Sequence, residues 1–235
     1  MHKYEGELNY KRLKELFHEM EVYLGNLHTM YIESIIGYAW IYKFVQKEQD
    51  NIRGLLGPSE VTEEEFQNEC LISYESICGD DITPMSFAGS MKQGNLKDRN
   101  RSGGKNELEI GKQCVVSLYA FWEDYLRLEL AKAKGLVQQD KTKDKEVERI
   151  LSKHMSFDFW GDIGLLRNSI VHHNSVSTDA CGSKIKILKW FPAGSEIALT
   201  YKHMRIVFME AAKFRNLIFK WSFPEHYIQI RKRDK

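Results

Sequence analysis

The chain has 235 residues, 43% hydrophobic and 29% charged, with a formal net charge of +1. That length can bury one large or two small cores, and the balanced charge excludes a globally basic nucleic-acid binder, leaving only a local patch for such contacts. No apolar run approaches the roughly 18 residues of a membrane span, and the opening Met1-His2-Lys3-Tyr4-Glu5-Gly6-Glu7 lacks a secretory apolar stretch, so a cytoplasmic protein is expected.

Residues 8–47 read as helix, either one long element or two joined near Gly25 or Gly37. Leu13, Leu16, Phe17, Met20, Leu24 and Leu27 form a stripe that Tyr31, Ile35, Tyr38, Ile41 and Val45 continue, at the spacing of a buried face. Roughly forty helical residues span about 60 Å, which predicts a kink or a protruding dimer arm. Gly54, Gly57 and Pro58 break the pattern. Thr62 and Glu65 then have capping-box spacing for a peripheral helix reaching about residue 76, with Phe66, Cys70 and Ile77 on a thin apolar face.

Residues 79–105 carry Gly79, Gly89, Gly94, Gly103, Gly104 and Pro84 and read as a flexible loop, long for a compact domain. Lys92, Lys97, Arg99, Arg101 and Lys105 make its second half basic. That composition suits either a solvated surface or a mobile arm that contacts RNA phosphates.

Residues 107–134 give the clearest helix, with Val115, Leu118, Trp122, Tyr125 and Leu126 as its buried stripe and Gly135 as its cap. A short helix over 146–153 precedes a further helix over 157–173. After it, 184–190 alternates like a strand that 196–200 can pair with, predicting a small β-hairpin before the last helix. That last helix covers 201–221, with Met204, Phe208, Ala211, Arg215 and Ile218 along its face.

The helix over 157–173 ends in Leu165-Leu166-Arg167-Asn168-Ser169-Ile170-Val171-His172-His173-Asn174. Asn168 and His172 are i and i+4 and share a face. Arg167 lies about 140° round an ideal helix from His172, so one helix cannot converge both on a phosphate without distortion, whereas a second copy can bring them together. Metal-independent RNA cleavage needs a base for the 2′-hydroxyl, a proton donor for the leaving oxygen and charge on the phosphate. His172 can act as base or acid. Arg167 can give two parallel hydrogen bonds to a phosphate, and Asn168 can hold the His172 ring or a phosphate oxygen. His173, about 100° further round, reads as a surface or packing residue. The structural alternative is a capped helix end with an interfacial salt bridge.

The R-x4-H pattern of Arg167 and His172, with polar Asn168 after the arginine, resembles the signature of the HEPN superfamily over roughly residues 107–224. The resemblance implies a mainly α, HEPN-like helical bundle forming a single domain over 1–235. Within it, 1–78 holds N-terminal helices, 79–106 the flexible loop and 107–224 the motif-bearing core. It also implies a homodimer with motifs facing each other, acting on RNA as a metal-independent endoribonuclease without cofactor. Arg167, Asn168 and His172 would be catalytic, in a toxin or phage-defence setting with an antitoxin or regulatory protein as a further partner. The stretch from Leu118 to Leu126 resembles the helix packed beside the motif in that family, making Glu123 and Asp124 candidates to orient Arg167 or His172. Asn174 stands where a family subset carries a modifiable tyrosine, so that regulation is not expected. The alternative is a non-catalytic RNA- or nucleotide-binding module, or a helical assembly protein.

Other chemistries lack their residues. No G-x4-G-K-[ST], H-E-x2-H or G-x-S-x-G motif occurs. Cys70, Cys78, Cys114 and Cys181 are irregularly spaced without a C-x2-C pair, and are expected as reduced thiols.

Overall fold

One uninterrupted helix, α1 (Tyr10–Leu56), opens the computed structural model, which describes residues 8–57, 62–73, 77, 90–138 and 144–222. The Asn9 carboxamide oxygen accepts the Arg12 N–H at 2.9 Å and starts the helix. Gly25 and Gly37 lie inside it without breaking it, and Gly57, at φ 94°, follows its last turn. The described residues are mainly helical, and none of their helices is long and apolar enough to cross a membrane.

Two compact units form, one from Met1–Thr29, Lys112–Ala198 and Lys202–Lys235, the other from Met30–Gly111 with Leu199–Tyr201. In the second unit, α2 (Glu63–Asn68) has the expected capping box, with the Thr62 hydroxyl and the Glu65 carboxylate each bonding the other's backbone N–H. The helix does not run on to residue 76. Leu71–Ser73 (β1) instead pairs antiparallel with Ser90–Lys92 (β2), Ile72 opposite Met91. The pairing puts Ile72 in a core with Val45, Ile77 and Leu96, a burial that one more helical turn would not supply. The basic half of the expected loop is also ordered: Gln93–Asn100 forms α3, with Leu96 buried and the Asn100 amide donating to the Leu96 carbonyl at 2.7 Å. Residues 79–89 lie outside the described residues, as does Cys78.

The first unit is built on α4 (Lys105–Ala120), whose first turns belong to the second unit, followed by a π-helical segment Phe121–Leu126 and α5 (Arg127–Ala133). Val115, Leu118, Trp122 and Leu126 are buried as expected, but Tyr125 is 36% exposed. The wide π turn sets it off the stripe, and its hydroxyl lies with Arg12 and Glu19. Gly135, at φ 67°, ends the run. Next come α6 (Asp144–His154), α7 (Asp158–His172), α8 (Asp179–Lys184) and α9 (Tyr201–Ser222). Trp122 stacks on Trp160 at 4.8 Å, and Phe214 meets both edge-on. The buried face of α9 is Met204, Val207, Ala211, Phe214 and Ile218. It is rotated slightly from the expected stripe, and Arg215 leaves the core to pair with Glu21 at 2.6 Å.

The hairpin expected before the last helix is absent. Residues 184–190 do alternate, but α8 takes Lys184, and the backbone N–H groups of Lys186, Ile187 and Leu188 all donate to the Asp162 carboxylate at 2.9, 2.6 and 2.9 Å. Donors committed to a buried carboxylate cannot form a strand ladder. The partner of 194–197 is instead 175–177, joined by the isolated bridge between Val176 and Glu196.

Candidate functional site at the end of the motif helix

Helix α7 forms because Phe159, Trp160, Ile163 and Leu166 recur at helical spacing and are all buried. That fixes its opposite side, where Arg167 is half-buried and Asn168, Val171 and His172 are exposed. The helix stops in a tight turn: the N–H groups of His173 and Ser175 both donate to the Ser169 carbonyl at 3.1 Å. Asn174 and Ser175 are left-handed, at φ 50° and 62°, a conformation that costs a side-chain-bearing residue energy and needs support. Support comes from the paired strand-like segment, where Ile197 N–H donates to Ser175 O at 2.7 Å and Ser177 N–H to Ser195 O at 2.8 Å. Asp162, nearly three turns before the end of the helix and only 2% exposed, fixes the loop after α8 to the same helix.

At this end the Arg167 guanidinium meets the His172 imidazole, Nη1 to Nε2, at 3.0 Å. The contact forms within one chain, which corrects the expectation that a second copy is needed to bring the two together. The 140° separation applies to the Cα–Cβ directions, whereas a long arginine side chain at the terminal turn can reach round to a residue with no helix beyond it. A guanidinium can only donate, so Nε2 is the acceptor in this contact. Asn168 makes no side-chain hydrogen bond among the described residues, so the partner of His172 is the arginine and not the amide.

The neighbouring helix supplies further groups beside the pair. The ring of Tyr119 packs against Gly164, one turn before Arg167. Burial pushes its phenol above the ordinary range; Glu123 and Glu148 add to that rise, and Arg127 and Arg167 oppose it. Tyr119, Glu123 and Arg127 follow one another at i, i+4 and i+8. Glu123 accepts from Arg127 Nη1 at 2.8 Å, and Glu148 lies 3.7 Å from Nη2. The Glu123 carboxylate is therefore taken up by Arg127 and does not orient His172; Asp124 is exposed. The Glu123–Arg127 pair was readable as an i, i+4 acid-to-base spacing. Asp162 was readable as a lone carboxylate on the apolar face of a helix, which must find donors there. Tyr119 gave no sequence signal.

The result is an exposed guanidinium–imidazole pair on a firmly held helix end, beside a half-buried phenol. It can bind a phosphate through Arg167 and present an imidazole lone pair next to it. No group of three or more His, Cys, Asp or Glu side chains converges as metal ligands among the described residues. No protein-family model, curated protein or solved structure matches the chain.

Proposed function

We propose that this chain is a HEPN-like, metal-independent endoribonuclease that works in the cytoplasm as a homodimer, in a toxin or phage-defence role. The observation that carries the reading is the 3.0 Å contact between Arg167 and His172 at an exposed helix end. An RNA phosphate arriving there competes for the Arg167 N–H groups. Once the guanidinium turns to the phosphate oxygens, the Nε2 lone pair of His172 is free to take the proton of the adjacent 2′-hydroxyl. The 2′-oxygen then attacks phosphorus, the P–O5′ bond breaks, and a 2′,3′-cyclic phosphate forms as the 5′-oxygen gains a proton. Each chain offers one such imidazole, so a second copy supplies the proton donor. The dimer thus belongs to the reading for acid–base balance and not for bringing arginine to histidine.

One observation favours the alternative of RNA or nucleotide binding without cutting: no carboxylate among the described residues touches His172, whose bond at Nε2 is to Arg167. The discriminating experiment incubates purified protein with total RNA and tRNA in EDTA, beside Arg167→Ala and His172→Ala. Cutting by wild type alone, with 2′,3′-cyclic ends, is the expected result. RNA retained but intact with all forms would leave the binding module in its place.

A further inference from the structure

Within the second unit, one face of α1 is not closed by the described residues. Tyr31 and Val45, at the ends of its stripe, are 1% and 0% exposed. Between them Ile35, Tyr38, Ala39 and Tyr42, at i, i+3, i+4 and i+7, line a cavity of about 650 Å³, within the range that holds small ligands. The facing wall is Asn100, Arg101 and Ser102, with Glu107 and Tyr201.

That wall is built to hold its shape. Gly103 is left-handed at φ 71°, and a Cβ on Gly104 would lie 2.5–2.8 Å from the carbonyl oxygens of Asp98, Arg99 and Arg101. The turn therefore accepts only glycine there. Glu107, 5% exposed, accepts the N–H of Gly103 at 2.8 Å and of Tyr201 at 2.6 Å, so its charge is engaged in fixing the turn. The cations at the rim are freer. Lys43 has no carboxylate partner among the described residues. Among the described residues Arg101 has only Asp98 at 3.9 Å, both side chains more than 60% exposed, a pairing of little strength. Lys97 lies 5.9 Å from the centre of the Tyr42 ring, adding positive charge beside that wall.

Tyrosine rings in a roomy cavity with lysine and arginine at its edge suit a planar aromatic group bearing an anion. We propose that this cavity is a nucleotide site, separate from the helix-end pair: the base lies among Tyr38, Tyr42 and Tyr201, and the phosphate meets Lys43 and Arg101. The nucleotide is either free or an unpaired residue of an RNA strand. This inference does not rest on the nuclease reading.

The test is fluorescence anisotropy on the full chain with mant-ATP, with a 2′-O-methyl oligoadenylate as competitor, which lacks the hydroxyl needed for cleavage. Expected is saturable mant-ATP binding that adenosine and inorganic triphosphate displace only weakly. Lys43→Ala and Arg101→Ala should each weaken it at least about tenfold, the loss for one charge-assisted phosphate contact, and Arg167→Ala should leave it unchanged. Displacement by the oligomer identifies an RNA strand as the source, and no displacement a free nucleotide. If Arg101→Ala lowers the melting temperature, the exposed Lys43→Ala decides. No saturable binding of either probe, binding indifferent to both substitutions, or binding lost only in Arg167→Ala would overturn the proposal.

Discussion

The ring of Tyr119 fills the space in which a side chain at position 164 would begin: a Cβ there would stand 2.8 Å from Tyr119 Cε2. Glycine at that point lets α4 and α7 approach closely just before Arg167. Gly164→Ala should therefore push the ring aside, an overpacking cost of about 1–3 kcal/mol from which alanine's helix preference of about 1 kcal/mol over glycine is subtracted, leaving a net destabilisation. Adding Tyr119→Ala should recover part of that loss, giving a double mutant less destabilised than the sum. Urea denaturation of the four forms checks it; strict additivity would mean that the two residues do not meet.

Asp162→Asn tests the carboxylate that gathers three backbone N–H groups. Asparagine keeps one acceptor oxygen and turns an NH2 toward donors, leaving buried polar groups unmatched. A loss of roughly 2–5 kcal/mol is expected, read as a lower midpoint in thermal or urea melts. A variant as stable as wild type would show that the loop after α8 has another support.

Burial pushes the Cys114 thiol from its ordinary 9.0 up to about 12. The folded state then holds a proton that the unfolded chain releases. Between about pH 9 and 12 stability falls as pH rises, with a slope of up to about 1.4 kcal/mol per unit from this group. Cys114→Ala should flatten the alkaline limb of a pH–stability curve. Native protein at pH 8 should also leave Cys114 unlabelled by iodoacetamide while the partly exposed Cys70 reacts. Labelling of Cys114 without unfolding would count against its burial.

Arg167→Lys keeps the charge but not the paired N–H groups, and an ammonium cannot contact His172 and a phosphate with the same geometry. On the nuclease reading, RNA cleavage should drop about 100-fold or more, with RNA affinity falling much less. Equal activity would reduce Arg167 to a point charge.

The helices were legible because their stripes are regular: Leu13, Leu16 and Met20 on α1, or Leu118 and Trp122 on α4, are buried where the spacing puts them. The conformation of 184–190 was not legible because alternation there carries no information about a carboxylate arriving from another helix. Asp162 decides that segment, and its effect is tertiary. The length of α2 was overread for a related reason, since only the core around Val45 makes a strand of Leu71–Ser73. At the helix end the residues were found but their meeting was not. Helical angles locate Cα–Cβ bonds, while the contact depends on the reach of Arg167 past the last turn of α7.

The π segment Phe121–Leu126 gives the chain one residue more than an α-helix needs over that span. Deleting a single residue from it would let the hydrogen bonds close in α register. Everything after the cut would then keep its place relative to what precedes it, because the wide π turn and an α turn one residue shorter sweep nearly the same angle. Tyr119 would keep its place against Gly164 and Arg127 its place beyond the segment, while the side chains within it, Tyr125 among them, would be re-aimed. Length variation at this point thus leaves the two halves of the wall beside the motif helix in register, and a one-residue gap there is the change by which a homologous chain would straighten the helix yet keep the neighbourhood of its Arg–His pair.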